Sequence, residues 1–334
     1  MVNGNKQVTI KDVAREAGVS ISTVSNALNG VDVLNPDTRE RILEVAARLN
    51  YTPNLNGKNL KSGSTNTIGV FLREIKGPYY GDLIDSIFNT CKAYSYELNI
   101  FLCDDVKRIV ANILGHRIDG AIILNDAIGK EQEGMLRGQN IPAVYMDRIN
   151  SSENVSCVVF DSYKGGEEAA KYLLELGNKS FMIVRGPCYN YDSIERERGF
   201  TDVLRKAGIK IRPECFVEGL FEIKTAHDSI IKFIESGYEL PDAIFALNDL
   251  SAIGTVNALK EYNVRIPEQV SVVGCDDIEP VRYITPSITT IRTNFEKQGK
   301  IAVEELIRMI KGEKGKQIIM NGRIVPREST ALRE

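Results

Sequence analysis

Two groups of side chains carry the chemistry of this chain, and both suit recognition more than bond-making. Near the N-terminus, Ile21, Ser22, Ser25, Asn26 and Asn29 recur at spacings that put them on the outward face of a short helix. They are small or hydrogen-bonding side chains, the types that meet base edges in a major groove. The plainer reading of the same residues is a three-helix module that binds protein. Farther along, Tyr79, Tyr80, Asp147, Arg196, Phe221, Asn248 and Asp276 each stand just past a short apolar run. Asn248 and Asp249 read as the end of one strand, Asp276 as the end of VSVVG, and Arg196 as the start of a helix after GPCYNYDSIE. A guanidinium fork, carboxylates, an amide and aromatic faces match a ligand that offers hydroxyls in several directions and one apolar side, as a sugar ring does. The alternative for Arg196 and the acids is a buried ion-pair network.

No catalytic constellation accompanies them. The only two histidines, His116 and His227, lie in helical stretches away from these residues, and no H-E-x-x-H, G-x-S-x-G or G-x-x-x-x-G-K-[ST] string occurs. Six cysteines (91, 103, 157, 188, 215 and 275) stand singly, without metal-ligand spacing, and read as reduced core residues. No metal and no cofactor is expected.

The elements that hold the first group are three short helices. Thr9, with Asp12 three residues on, opens an amphipathic run of Ile10, Val13, Ala14 and Ala17 that Gly18 closes. Ser20 caps a second helix with Val24, Ala27 and Leu28 inward, before Asn29-Gly30 stops it. Asn35-Pro36 opens a third, with Ile42, Val45, Ala46 and Leu49 as its stripe. From Pro53, TPNLNGKNLKSGSTNT starts like a helix and dissolves into Ser, Gly, Thr and Asn, so it reads as a hinge helix or as a plain linker. From Thr67 onward, apolar runs alternate with helical periods: IGVFL, LNIFLC, DGAIIL, AVYMD and VSCVVF, then from about residue 161 SFMIV, DAIFAL and VSVVG. That alternation predicts two doubly wound parallel sheets.

At 334 residues, 43% hydrophobic and 26% charged, the chain has the composition of an ordinary globular protein. Residues 1–61 hold eight Lys/Arg against six Asp/Glu, a net +2 that leaves −5 for the rest. No stretch approaches 18 apolar residues and the first residues lack a signal-peptide pattern, so no membrane contact and a cytoplasmic location are expected. A solute-binding protein for transport would need an export signal and would carry no helix-turn-helix.

VTIKDVAREAGVSISTVSNALNG, followed by TRERILEVAARLNYTPN, resembles the start of the lactose/galactose repressor (LacI/GalR) family. The body resembles the family's periplasmic-binding-protein-like core through IGV, DGAIIL, Asp161 to Gly165, R-x-x-G-F, ALND, and VGCDD with TPSITTI. The resemblance implies a small all-α helix-turn-helix domain (1–50), a hinge (51–66) and an α/β two-lobed core (67–334). Lobe 1 would hold about 67–160 and 292–320, lobe 2 about 161–291 and 321–334. It implies that Ile21, Ser22 and Asn26 read bases and that Leu60 wedges into the minor groove; Thr9, Ser20, Thr23, Ser25, Asn29, Tyr51 and Asn54 join them as candidate DNA contacts. Gly57 stands where the family usually has alanine, which predicts a hinge that folds only with DNA and dimer contacts. Arg196, Asp276, Asn248 and Phe221 fall on effector-binding positions, with Asp147, Tyr79 and Tyr80 beside them. Between Phe101 and Ile118 the chain is several residues shorter than the family pattern, so a stunted helix is expected there. The implied partners are a near-palindromic double-stranded operator, a small-molecule effector such as a sugar, and a second copy of the chain. The implied function is a repressor whose operator affinity the effector sets, with control by a protein corepressor as the alternative.

Overall fold

A computed structural model describes residues 8–29, 33–52, 64–115, 118–138, 140–150 and 154–333. The hinge expectations for Asn54, Gly57 and Leu60, and the helical placing of His116, lie outside the described residues. The chain divides into two compact units, 1–64 and 65–334.

In the first unit, capping starts each helix. The Thr9 N–H and hydroxyl both donate to the Asp12 carboxylate, at 3.0 and 2.7 Å, and α1 (Ile10–Ala17) begins there. Gly18, in the left-handed region at φ +65°, ends it. Ser20 accepts the Thr23 N–H at 3.1 Å to start α2 (Ile21–Leu28), and Asn35 caps α3 (Pro36–Arg48). The three inward stripes meet in a core of Val13, Ala14, Ala17, Val24, Ala27, Ile42, Val45 and Ala46.

The second unit is built on two six-stranded sheets. One contains β1 (Thr67–Leu72), β2 (Glu97–Leu102), β3 (Gly120–Leu124), β4 (Ala143–Tyr145), β5 (Val155–Phe160) and β11 (Gln317–Met320), all parallel, in the order β11-β5-β4-β3-β1-β2. The other contains β6 (Phe181–Arg185), β7 (Phe216–Glu218), β8 (Ala243–Ala246), β9 (Ser271–Asp276), β10 (Thr289–Arg292) and β12 (Arg323–Val325), in the order β12-β10-β9-β8-β6-β7. Only β12 runs antiparallel to its neighbour. The inner strands β1, β3, β4 and β5 are buried along their whole length, so they read as unbroken apolar runs rather than alternations. β2 is an edge strand, and its Ile100 and Leu102 face solvent at 42% and 57% exposure.

The helices are α4 (Pro78–Ala93), α5 (Val106–Leu114), α6 (Lys130–Gly138), α7 (Ser162–Glu175), α8 (Tyr191–Lys206), α9 (Ile223–Glu235), α10 (Asp249–Glu261) and α11 (Phe295–Ile310). Two differences from the sequence reading, at Arg196 and at Asn248 with Asp249, have one cause, a polar cap upstream of the apolar pattern. Asn190 accepts the Ser193 N–H at 3.0 Å, so α8 starts at Tyr191 and Arg196 lies in its second turn instead of opening it. Asn248 accepts the Ser251 N–H at 2.9 Å, so Asn248 and Asp249 start a helix instead of ending a strand. Asp161 accepts the Lys164 N–H at 2.9 Å and starts α7 at Ser162. The cysteines also depart in part: Cys188 is exposed and Cys103 half-buried, whereas the other four are core residues.

The chain passes between the sheets three times, at 161, at 293–294 and at 321–322. These passages lie side by side. The Asp161 N–H donates to the Met320 carbonyl at 2.8 Å, and a Cβ on Gly322 would stand 2.8 Å from Ile291 Cγ2 and 3.1 Å from the Arg292 carbonyl oxygen. Helix α11 is pinned to the first sheet and to α4 by two bonds, Gln298 Nε2 to the Val158 carbonyl (3.0 Å) and Ser86 Oγ to the Glu296 carbonyl (2.5 Å).

Candidate functional site

On the first unit, α2 presents Ile21 at 45% exposure, with Ser22 and Asn29 exposed and Ser25 and Asn26 half-exposed on the same side. Several of these groups already have internal work. Ser20 Oγ lies 2.7 Å from both Ser22 Oγ and Thr23 Oγ1, and Asn29 Nδ2 donates to the Ser25 carbonyl at 2.8 Å. Tyr51 packs on the helical core, and Thr9 is engaged with Asp12. Among the described residues, Ile21 and Asn26 are thus the members of the outward face of α2 whose side chains make no hydrogen bond within the domain.

In the second unit, the remaining candidates converge at the carboxyl ends of the strands of both sheets. From the first sheet, Gly77, at φ +79°, turns the chain into α4, whose first turn carries Tyr79 and Tyr80. The Tyr79 ring stands edge-on to Phe295 (4.6 Å between centroids) and to Tyr80 (5.0 Å), and Phe295 meets Phe160 at 6.3 Å. Asp147 follows β4 and takes both Nε and Nη2 of Arg148 at 2.9 Å.

From the second sheet, Arg196 is buried and donates through Nη1 to the Leu247 carbonyl at 2.6 Å, while Nη2 faces Asp276 Oδ1 at 3.2 Å. Its placement depends on two glycines. A Cβ on Gly166 would lie 2.1 Å from the Arg196 carbonyl oxygen, and one on Gly199 would lie 1.9 Å from that of Tyr163, so α7 and α8 touch backbone to backbone. Phe221 sits in the left-handed region at φ +63°, after Leu220 at +51°, and its ring occupies the space over Gly186, where a Cβ would be 2.3 Å away. Asn248 spends its oxygen on capping α10 and donates from Nδ2 to the Phe221 carbonyl at 3.3 Å. Asp276 and Asp277, at φ +128° and +62°, form a second pair of non-glycine residues in this region. Paired backbone strain of this kind, on two loops that face one cleft, marks a site the surrounding structure holds in shape.

Sequence reasoning passed over Asp192. It lies one turn before Arg196 on α8 and accepts Ser162 Oγ at 2.5 Å. The signal was the N-x-x-S cap at 190–193, which places 192 and 196 on one helix face. Burial pushes the Tyr79 hydroxyl pKa well up, with Asp192, Tyr80 and Asp276 adding to it. Burial likewise pushes Tyr80 up to about 12, helped by Glu74 and Asp147. Asp147 is raised by burial against the pull of Arg148. Asp276 is also raised by burial, with Asp249 and Asp192 adding to the effect and Arg196 opposing it. Rings and charges from both sheets therefore share one electrostatic environment.

The lobes stand close together there. A void of about 10 Å³, room for a single water, lies among Phe160, Asp161, Arg196 and Thr293. At the rim, Arg73 stacks over Tyr189 at 5.8 Å and Lys76 meets Glu222 at 3.8 Å. The larger cavity, about 950 Å³, runs instead along α4 and α11, past Asp85, Asn89, Arg292 and Lys300, and contains none of the expected effector residues. Among the described residues no group of His, Cys, Asp or Glu is arranged to hold a metal, and no helix is long and apolar enough to cross a membrane.

Residues 9–54 match the model of the bacterial regulatory proteins of the lacI family, and residues 170–330 match the periplasmic binding protein-like domain. The HTH-type transcriptional repressor PurR of Histophilus somni (strain 2336) is 31% identical over 316 residues, covering 92% of this chain and 94% of that protein. PurR of Photorhabdus laumondii subsp. laumondii is 32% identical over 331 residues, 96% of each. Among solved structures, the lac repressor dimer bound to operator and the anti-inducer ONPF aligns with a TM-score of 0.81 and 26% identity, over 98% of this chain and 100% of that one. The regulator CelR in complex with cellobiose shares the fold, with a TM-score of 0.73 and 24% identity over 97% and 100%.

Proposed function

The chain belongs to the lacI family of bacterial regulatory proteins, and from that premise we propose that it is a dimeric, cytoplasmic repressor whose operator affinity is set by a small polyhydroxylated molecule held between the lobes. It is a regulator and not an enzyme. Ile21, Ser22 and Asn26 on α2 read the operator, with Asn26 suited to a bidentate contact with adenine. Thr9, Ser20, Thr23, Ser25, Asn29 and Tyr51 hold or flank that surface, and Asn54 and Leu60 extend it by resemblance. The second copy docks on the first lobe, where Phe88, Tyr94, Ile100 and Leu102 expose apolar surface on α4 and β2.

The observation that carries the effector reading is the meeting of Arg196, Asp276 and Asp192 from one lobe with Tyr79 and Tyr80 from the other. Each guanidinium nearby already has a carboxylate partner, Arg196 with Asp276 and Arg148 with Asp147, while Asp192 adds a further acceptor. Acceptors in excess of free cations favour an uncharged ligand rich in hydroxyl donors. Binding that changes the angle between the lobes alters the spacing of the paired recognition helices, with a coupling of about 1–3 kcal/mol. A thermal-shift screen of sugars, sugar phosphates, nucleosides and purines tests this. A stabilising hit that Arg196→Ala abolishes is the expected result.

A second reading, control by a protein partner, draws support from the cavity of about 950 Å³ along α4 and α11, which is open to solvent and contains none of the expected effector residues. A panel without a hit, together with operator binding intact, is the result that favours it.

A further inference from the structure

We propose that Asp277 is a positioning residue that transmits the state of the cleft carboxylate Asp276 to the lobe crossover at Thr293. The proposal rests on the reading of the cleft as the effector site. Asp276 and Asp277 are adjacent in sequence, and their side chains serve different neighbours. Asp276 faces Arg196 at 3.2 Å, whereas the Asp277 carboxylate, 2% exposed, gathers three guanidiniums. Arg282 comes from the 3-10 turn Glu279–Arg282 (3.3 Å), Arg292 from the last residue of β10 (2.5 Å), and Arg327 from the segment beyond β12.

A single arginine would satisfy a buried carboxylate, so three from three segments bind together more than a local ion pair needs. Two of the three lie near passages between the lobes. Arg292 directly precedes the crossover into α11, and Thr293, the next residue, donates its N–H (3.4 Å) and its hydroxyl (3.2 Å) to the Asp276 carbonyl. Arg327 follows the third crossover and β12, and it ties back to the start of β10: its N–H donates to Thr289 Oγ1 at 2.8 Å and its Nη1 to the carbonyl of Ile288, just before the strand, at 2.7 Å. The left-handed backbone at both aspartates fixes the two carboxylates relative to each other. Any shift of Asp276 that a ligand induces through its side chain therefore moves a peptide unit that Asp277 clamps to the strand feeding the crossover.

The test needs no ligand and so stands apart from the fate of the effector reading, which the ligand screen decides. Amide exchange of the peptide spanning 290–296 is followed by mass spectrometry in the full chain, in Asp276→Asn, in Asp277→Asn and in the double variant. Asp276→Asn is expected to speed exchange at the crossover about tenfold in the parent and to have no further effect in the Asp277→Asn background, since opening of a local unit is what exchange reads. Equal acceleration in both backgrounds, or no acceleration in the parent, overturns the proposal. Should Asp277→Asn not fold, the same cycle with Arg292→Lys, which keeps the charge and removes the Nε contact, gives the same two outcomes.

Discussion

The carbonyl oxygen of Arg196 lies 2.1 Å from where a β-carbon on Gly166 would stand. The residue proposed to read the cleft is thus set in depth by a glycine on the neighbouring helix. Gly166→Ala is expected to push α8 away from α7, lowering stability by at least about 1–3 kcal/mol in urea denaturation and weakening any cleft ligand. Unchanged stability would mean that the two helices separate without cost.

Arg196 and Asp276 form a pair with side-chain exposures of 7% and 12%. Where Asp276 is ionised, above the neutral range, Arg196→Ala leaves it buried without its cation, so a loss of about 3–5 kcal/mol of stability is expected there beside the loss of ligand binding. Arg196→Lys keeps the charge but not the fork that also reaches the Leu247 carbonyl, so it is expected to recover most of the stability and little of the binding. Full binding by the lysine variant in calorimetry would place the site elsewhere.

Burial raises the carboxyl of Asp276 above its ordinary range, so the folded chain holds its proton where the unfolded chain has lost it. The contribution of this group is greatest below about pH 4 and declines as pH rises from there into the neutral range. Relative to Asp276→Asn, which does not titrate, the parent is expected to lose stability with rising pH. A constant difference between the two across a pH series of denaturation curves contradicts this.

The Phe221 ring fills the space that the hydrogen of Gly186 leaves open, with a would-be Cβ only 2.3 Å from it. Gly186→Ala is expected to swing the ring out of the cleft and weaken the ligand about tenfold, or by about 1.4 kcal/mol, without changing operator affinity. Calorimetry and a gel-shift titration on one preparation separate the two effects.

On the first unit, Asn26→Ala is expected to weaken operator binding by about 1–3 kcal/mol and to leave the salt dependence unchanged, since an amide contact to a base releases no counterions. An altered salt slope in fluorescence anisotropy would make Asn26 a residue that acts through the phosphates.

Much of this was legible in the sequence, and the reasons differ by element. Thr9, Gly18, Ser20 and Asn35 announce the first three helices because caps are local chemistry. The runs IGVFL, GAIIL and VSCVVF announce buried parallel strands because both their faces are covered. For Asp192 the local cap at Asn190 indicated only that it shares a helix face with Arg196; nothing in its neighbourhood states that Ser162, thirty residues earlier, would hold its carboxylate. The double duty of Asn248 was hidden for a similar reason, since its second partner is the carbonyl of Phe221. Asp277 looked like the second half of a motif, and its three arginines come together only once β10 and the segment after β12 lie beside β9.

The three passages between the sheets form a ribbon: Asp161 is bonded to Met320, and Gly322 is pressed against Ile291 and Arg292. A ribbon bends easily about the line across its width and resists both shear and torsion, because those motions would stretch the links between its strips. Motion of the lobes about that line is therefore the one the linked passages oppose least. A ligand need not choose a direction of motion but only an extent along a track the covalent chain has already laid down, and molecules of different shape bound in the same cleft should place the lobes at different points along a single path.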